Sequence, residues 1–214
     1  MKRAAPSRGG RPSRERAEQL ADHILDVATG LFLSHGYGVT SIEEVARRAR
    51  ISKRTFYHRF EDKEALFAAV VHRIVDQLRP GAGTPIVEGA DLSVMLRRLA
   101  RLVLDAAIAP QAIALHRLIV GESGRFPRLA AVANKTSEQA VALIGSILER
   151  AARDGRVSID DPAFAARQFL YMVVATPQRA AMGLGAPMSA RHLRDWPADV
   201  VKLFLDGCGH VKEA

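Results

Sequence analysis

Cysteine is nearly absent from this chain of 214 residues. Cys208 is the single cysteine, which excludes an intramolecular disulfide and agrees with a reducing compartment. No uninterrupted apolar run approaches the roughly 20 residues that a membrane-spanning helix needs. The N-terminus is basic and polar, and no apolar segment follows it as in a signal peptide. These absences predict a soluble protein of the cytoplasm that does not contact a membrane.

Patterns typical of catalytic and metal sites are also lacking. The seven histidines form no HxxxH or HExxH arrangement, and no cysteine stands near them at ligand spacing. The serines have no nucleophile-elbow context, and the glycines match no phosphate-binding loop. We therefore expect no catalytic residues, no metal, no cofactor and no enzymatic activity.

Aromatic residues contribute only 6% of a chain that is 48% hydrophobic and rich in alanine. Apolar residues recur at helical spacing, and no alternating strand pattern or internal repeat is visible. The sequence therefore predicts an all-α protein of about nine helices. Their approximate ranges are 14–35, 41–49, 53–60, 63–78, 91–108, 111–122, 127–153, 162–183 and 189–206.

Positive charge is concentrated towards the N-terminus. The formal net charge is +8, and residues 1–63 hold 13 Lys/Arg against 8 Asp/Glu. This distribution favours a polyanionic partner. Residues 1–13 are rich in Gly, Pro, Ser and Arg and predict a disordered basic arm. Such an arm either enters a DNA minor groove or remains a solvated tail.

Residues 40–63 predict two short helices and the start of a third. Thr40 and Glu43 have the spacing of a capping box before the first helix. Ser52 is placed to cap the second helix, and Asp62 to cap the third, which begins at Lys63.

The second of these helices carries a basic and aromatic outer face. Phe56 and Phe60 are four residues apart and predict its buried side, whereas Lys53, Arg54 and Tyr57 point elsewhere. The DNA major groove admits an α-helix with such a face. The alternative is an ordinary helical corner whose charged residues are merely solvated.

Residues 24–68 resemble the DNA-binding domain of TetR/AcrR-family transcriptional regulators. The family usually has glycine where this chain has Arg50, at a turn that tends towards positive φ. The matching residues are Leu31-Phe32, Gly36-Tyr37, Thr40-Ser41, Ile42, Val45-Ala46, Ile51-Ser52, Thr55-Phe56-Tyr57, Phe60, Lys63-Glu64 and Leu66.

The resemblance implies a helix-turn-helix DNA-binding domain at 14–62 and a helical ligand-binding and dimerisation domain at 63–214. It also implies a double-stranded DNA operator, a homodimer and a small-molecule effector as partners. The residues expected to contact DNA are Thr40, Ser52, Lys53, Arg54, Thr55, Tyr57, His58 and Lys63.

Family members bind ligands among the helices of the C-terminal domain, and a similar pocket is predicted here. The alternative for each lining residue is an ordinary place in the core, and His116 on its apolar helix fits either interpretation. The predicted lining is Phe67, Val71, Met95, Leu99, Val103, His116, Ile119, Met172 and Gln178.

The last two long helices are apolar on too many sides for a pair at a monomer surface. Either they pack against a second copy of the chain, as the resemblance implies, or one large core buries them. The residues predicted at the dimer interface are Phe164, Phe169, Val173, Trp196, Val200 and Phe204.

Together these features predict a dimeric transcriptional repressor that a hydrophobic or amphipathic ligand releases from a palindromic operator. The alternative is a helical small-molecule-binding protein or enzyme whose N-terminal helices are only structural.

Overall fold

The computed structural model describes residues 14–78 and 91–208, and these ranges contain nine α-helices and no strand. The predicted basic arm at 1–13 lies outside them. The helices are α1 (Arg14–His35), α2 (Ile42–Arg48), α3 (Lys53–Tyr57), α4 (Lys63–Leu78), α5 (Leu92–Ile108), α6 (Pro110–Glu122), α7 (Pro127–Arg153), α8 (Pro162–Ala181) and α9 (Ala190–Cys208).

The chain divides into two compact units, and the boundary falls within α4 between Val70 and Val71. The domain boundary predicted from the sequence at 62/63 lies eight residues earlier and stays a prediction. In the first unit, α2 packs against both α1 and α3. Three buried rings, those of Phe32, Tyr37 and Phe67, lie 5.4–5.5 Å apart between centroids and join α1, the following turn and α4.

Side-chain caps fix the short helices of this unit. The Ser52 hydroxyl accepts a hydrogen bond from the Thr55 N–H at 3.0 Å, and Asp62 accepts one from Ala65 at 2.7 Å, as predicted. The cap predicted at Thr40 is wrong by one residue. Ser41 instead accepts from the Glu44 N–H at 3.1 Å, and α2 begins at Ile42.

In the second unit, α8 packs against α5, α7 and α9, and α5 also packs against α9. The core is continuous across these four helices, with Leu96, Leu104, Leu148 and Phe169 fully buried in it. Between α5 and α6 the chain bends by 66°. Ala109 has ψ 140° there because the following Pro110 disfavours helical backbone in its predecessor.

Two helices of this unit continue through an internal proline. Pro177 in α8 has no N–H for the Val173 carbonyl, and Pro197 in α9 has none for the Leu193 carbonyl. Side chains from other helices supply the missing donors. The Trp196 indole N–H reaches the Val173 oxygen at 2.9 Å, and Arg101 donates to the Leu193 oxygen at 3.1 Å.

No single helix in the described ranges has both the length and the apolar character to cross a membrane. The bent pair of α5 and α6 meets those two criteria only when its helices are taken together.

Candidate nucleic-acid interface

Helix α3 is held from one side and open on the other. Phe56 is fully buried, and the half-buried Phe60 lies 5.7 Å from it between ring centroids, as predicted. The predicted helix extended to Phe60, but α3 ends at Tyr57, with His58 as its C-cap. A helix this short depends on its packing and caps, because isolated helices of a few residues are unstable.

The outer side of α3 carries the predicted donors. Lys53, Arg54 and His58 are exposed, and Tyr57 is 52% exposed with its ring edge-on to Phe56. The structure therefore exposes four of the eight predicted DNA contacts on the outer side of this five-residue helix and its C-cap.

Two other predicted contacts, Ser52 and Thr55, lie at the start of the same helix. Their hydroxyl oxygens are 2.8 Å apart, and the Ser52 hydroxyl also caps α3. Ser52 is exposed and Thr55 is half-buried, so both remain predicted DNA contacts.

The prediction that Thr40 contacts DNA needs correction, because its side chain does not face a surface. It is 2% exposed, and its hydroxyl donates to the Gly36 carbonyl at 2.8 Å. A buried hydroxyl that already donates within the protein cannot hold a DNA phosphate.

The Lys63 ammonium has backbone partners within the protein. It donates to the carbonyls of Tyr37 and Thr40, each at 2.9 Å, and lies 4.3 Å from the centre of the Tyr37 ring. This side chain fastens the turn before α2 to the start of α4. Its predicted contact with a phosphate stays a prediction.

Arg50 is the one non-glycine residue with positive φ in the described ranges, at 55°. The N–H groups of Arg50 and Ile51 donate to the carbonyls of Arg47 and Ala46, which is the Schellman arrangement. The positive φ expected from the resemblance is thus present, and an arginine occupies it.

The acidic partners of the basic residues on α2 and α3 were not predicted from the sequence. Glu43 on α2 contacts Lys53 on α3 at 2.5 Å, and Glu44 binds Arg47 and Arg48. Helical spacing of three and four residues could have revealed the Glu44 pairs. No local signal links Glu43 to a lysine ten residues away on another helix.

These contacts shift the ionisation of both carboxyl groups. Hydrogen bonding from Lys53 holds the pKa of Glu43 below its usual value, and Glu43 in turn raises the pKa of Lys53. Hydrogen bonds from Arg47 and Arg48 likewise lower the pKa of Glu44. The acids on α2 are therefore ionised at neutral pH beside the basic face.

Comparison with known families matches both parts of the chain. Residues 24–70 match the model described as bacterial regulatory proteins of the tetR family. Residues 94–207, more than half of the chain, match the AefR-like transcriptional repressor C-terminal domain. This chain belongs to the TetR family. The two family models describe transcriptional regulators, so the alternative prediction of an enzyme with structural N-terminal helices is not supported.

Individual TetR-family proteins align over most of the chain. The flavonoid-responsive regulator FrrA has a TM-score of 0.73 and 31% identity, covering 89% of this chain and 97% of FrrA. A regulator from Mesorhizobium loti has a TM-score of 0.74 and 29% identity, covering 90% and 98%. TcmR of Streptomyces glaucescens is 29% identical over 65% of this chain and 62% of TcmR. The chain spans less than two thirds of the curated relatives that match first.

The residues predicted to line a ligand pocket lie in both units, and Phe67 belongs to the first. Val71, Met95 and Leu99 are buried, the last two within the core of the second unit. The half-buried Gln178 donates to the Ala107 carbonyl at 3.4 Å. The remaining predicted lining residues are half-buried, and two of them pack against the core: Val103, His116, Ile119 and Met172. The role of all these residues in binding a ligand stays a prediction.

The predicted dimer interface needs correction at four of its six residues. Phe169, Val173, Val200 and Phe204 are at most 6% exposed because the core of their own chain buries them. They have little surface to offer a second copy, so their burial favours the alternative of one large core. Trp196 is half-buried, with its N–H on Val173, and Phe164 is 60% exposed.

Proposed function

We propose that this TetR-family regulator is a dimeric repressor that binds a palindromic operator in the cytoplasm and leaves it when a small ligand binds. The observation that carries the DNA-binding part is the capped helix α3, which is anchored by Phe56 and exposes Lys53, Arg54, Tyr57 and His58. Such a face presents cations and ring groups to base edges and phosphates of the major groove.

An exposed stripe on α8 that carries two aromatic rings supports the dimer. Phe164 and Tyr171 are 60% and 57% exposed, and Gln168 and Ala175 share their side of the helix at spacings of four and seven residues. This stripe lies opposite the buried Phe169. Leu203 on the neighbouring α9 is 66% exposed. We assign the interface to these exposed residues in place of the buried ones.

A dimer would place two α3 helices on successive turns of one face of DNA. Half-sites would then lie about 34–36 Å apart, and the operator would mirror the two-fold symmetry of the protein. A ligand that prefers a different separation of the two helices would weaken both contacts together.

The effector is proposed to be a hydrophobic or amphipathic small molecule. The similarity to the flavonoid-responsive FrrA supports this class and makes flavonoids the first compounds to test. The similarity of residues 94–207 to an AefR-like repressor domain supports repression as the mode of regulation.

Sequencing of genomic fragments that the purified protein retains would test this function. The expected result is an enriched motif with two-fold symmetry and half-sites about 10 base pairs apart. A compound that raises the melting temperature of the protein should also release those fragments. Retention of fragments in proportion to their abundance, with no shared motif, would contradict sequence-specific binding.

A further inference from the structure

An acidic residue lies within reach of the basic face of α3. A Glu43 carboxylate oxygen on α2 is 2.5 Å from the Lys53 ammonium on α3. The two side chains are 58% and 56% exposed, so the pair lies on the surface and outside the core.

The pKa of the Glu43 carboxyl is lowered, first by hydrogen bonding from Lys53 and then by the Glu43 backbone N–H and the Ser41 hydroxyl. Glu43 is thus ionised at neutral pH and is directed at the lysine at the N-terminus of the helix proposed to read DNA.

A lysine ammonium that is paired with a carboxylate contributes little to the binding of arbitrary DNA. Non-specific affinity comes from cations that replace the counterions condensed on phosphates. Lys53 is already paired, so its approach to a phosphate must first break a carboxylate contact. The carboxylate itself repels the DNA backbone.

The same pair can open at the correct sequence. An exposed ion pair is a weak contact. The guanine O6 and N7 acceptors in the major groove suit a lysine ammonium, and a correctly placed guanine offers it a partner to replace Glu43. The cost of opening the pair is then compensated at the operator and not elsewhere.

We propose that Glu43 is a specificity-determining residue, which suppresses binding to arbitrary DNA by pairing with Lys53 until a base acceptor takes over the ammonium. This inference rests on the proposed function, because it requires that α3 reads an operator.

Glu43→Gln tests the inference, since it removes the charge and keeps the size of the side chain. Affinity is measured for a random-sequence duplex and for a retained genomic fragment over a range of salt concentrations. On random DNA the variant should bind roughly 3–10-fold more tightly at low salt, with a log–log salt slope steeper by about 0.9, as for one additional phosphate contact. Operator affinity should rise less, so the ratio of operator to random affinity should fall.

Glu138→Gln is the matched control. Glu138 on α7 pairs with Arg167 on α8 at 2.5 Å and is similarly exposed, but it belongs to the second unit. Its substitution removes the same charge and should leave the salt slope on random DNA unchanged.

Lys53→Met completes a double-mutant cycle. It should reduce affinity for random DNA more in the Glu43→Gln background than in the natural chain, because only there is the ammonium available to phosphates. Equal reductions in both backgrounds would overturn the inference.

Two further results would also count against it. Unchanged random-DNA affinity in Glu43→Gln would make the pair an ordinary surface contact, and an equal loss on both duplexes would make Glu43 a simple support for Lys53. If the natural chain itself shows no salt-dependent DNA binding, the proposed function fails, and this inference fails with it.

Discussion

At the scale of single residues, Arg50 is strained, because it ends α2 in the left-handed backbone conformation that glycines adopt at the ends of two other helices. Helices α7 and α8 end in the same pattern of hydrogen bonds as α2, with Gly155 at φ 68° and Gly183 at φ 79°. Only glycine adopts this left-handed conformation without a steric cost from its Cβ atom. Arginine at φ 55° bears a cost on the order of 1 kcal/mol.

Arg50→Gly should therefore stabilise the protein. We expect the free energy of unfolding to rise by roughly 0.5–1 kcal/mol, because relief of strain outweighs the greater entropy of glycine in the unfolded chain. Denaturant titration measures the change.

Gly155→Ala provides the converse control. A Cβ at position 155 would meet no atom within 4 Å, so only backbone strain would oppose it, and the variant should lose stability. A stabilised Gly155→Ala or a destabilised Arg50→Gly would show that strain at these helix ends is not the deciding effect.

The hydrogen-bond partners of Lys63 could not be predicted from the sequence. Its position at the start of α4 was correctly predicted, but its partners are carbonyls of Tyr37 and Thr40, 26 and 23 residues earlier. Every residue has a carbonyl, so the sequence holds no signal for which ones a lysine will reach. The positive φ of Arg50 could be inferred only because the family motif has glycine at that position.

At the scale of elements, side chains from neighbouring helices supply the hydrogen-bond donors that α8 and α9 lack at their prolines. Val173 is fully buried, and its carbonyl accepts a hydrogen bond from the Trp196 indole N–H in place of the N–H that Pro177 lacks. Pro177 and Trp196 therefore act as a pair, one removing a donor and the other replacing it.

Trp196→Phe should destabilise the natural chain by about 1–3 kcal/mol, the cost of leaving a buried polar group unsatisfied. In a Pro177→Ala background the alanine N–H can reach the Val173 carbonyl, so the cost of losing the indole N–H should shrink. Chemical denaturation of all four proteins measures this coupling. Equal costs in the two backgrounds would mean that Trp196 acts through packing alone.

The helices themselves were largely predictable, whereas these tertiary contacts were not. Capping residues such as Asp62 and Asp161 and the break at Pro110 mark the ends that the structure shows. The side of α8 that the chain buries could not be read from its composition, because apolar residues line both sides. That is why Phe169 and Val173 were wrongly predicted to lie at a dimer interface.

At the scale of the whole molecule, the proposed dimer depends on the exposed stripe of α8. Tyr171→Glu should convert the dimer to a monomer at micromolar concentration, because it places a charge in an apolar interface. Sedimentation velocity measures the state directly.

Val120→Glu is the matched control for that substitution. Val120 on α6 is 63% exposed and outside the stripe, so its variant should remain dimeric. A Tyr171→Glu protein that stays fully dimeric would place the interface on another surface.

The affinity of Arg54→Ala for a retained genomic fragment tests whether α3 makes the DNA contacts. Arg150→Ala is the control, because Arg150 is an exposed arginine on α7 in the second unit. At 0.15 M salt, loss of Arg54 should weaken binding by about 1–3 kcal/mol, which is at least several-fold, while Arg150→Ala should bind like the natural chain. Equal affinity of both variants and the natural chain would contradict the assignment of α3 as the DNA-reading helix.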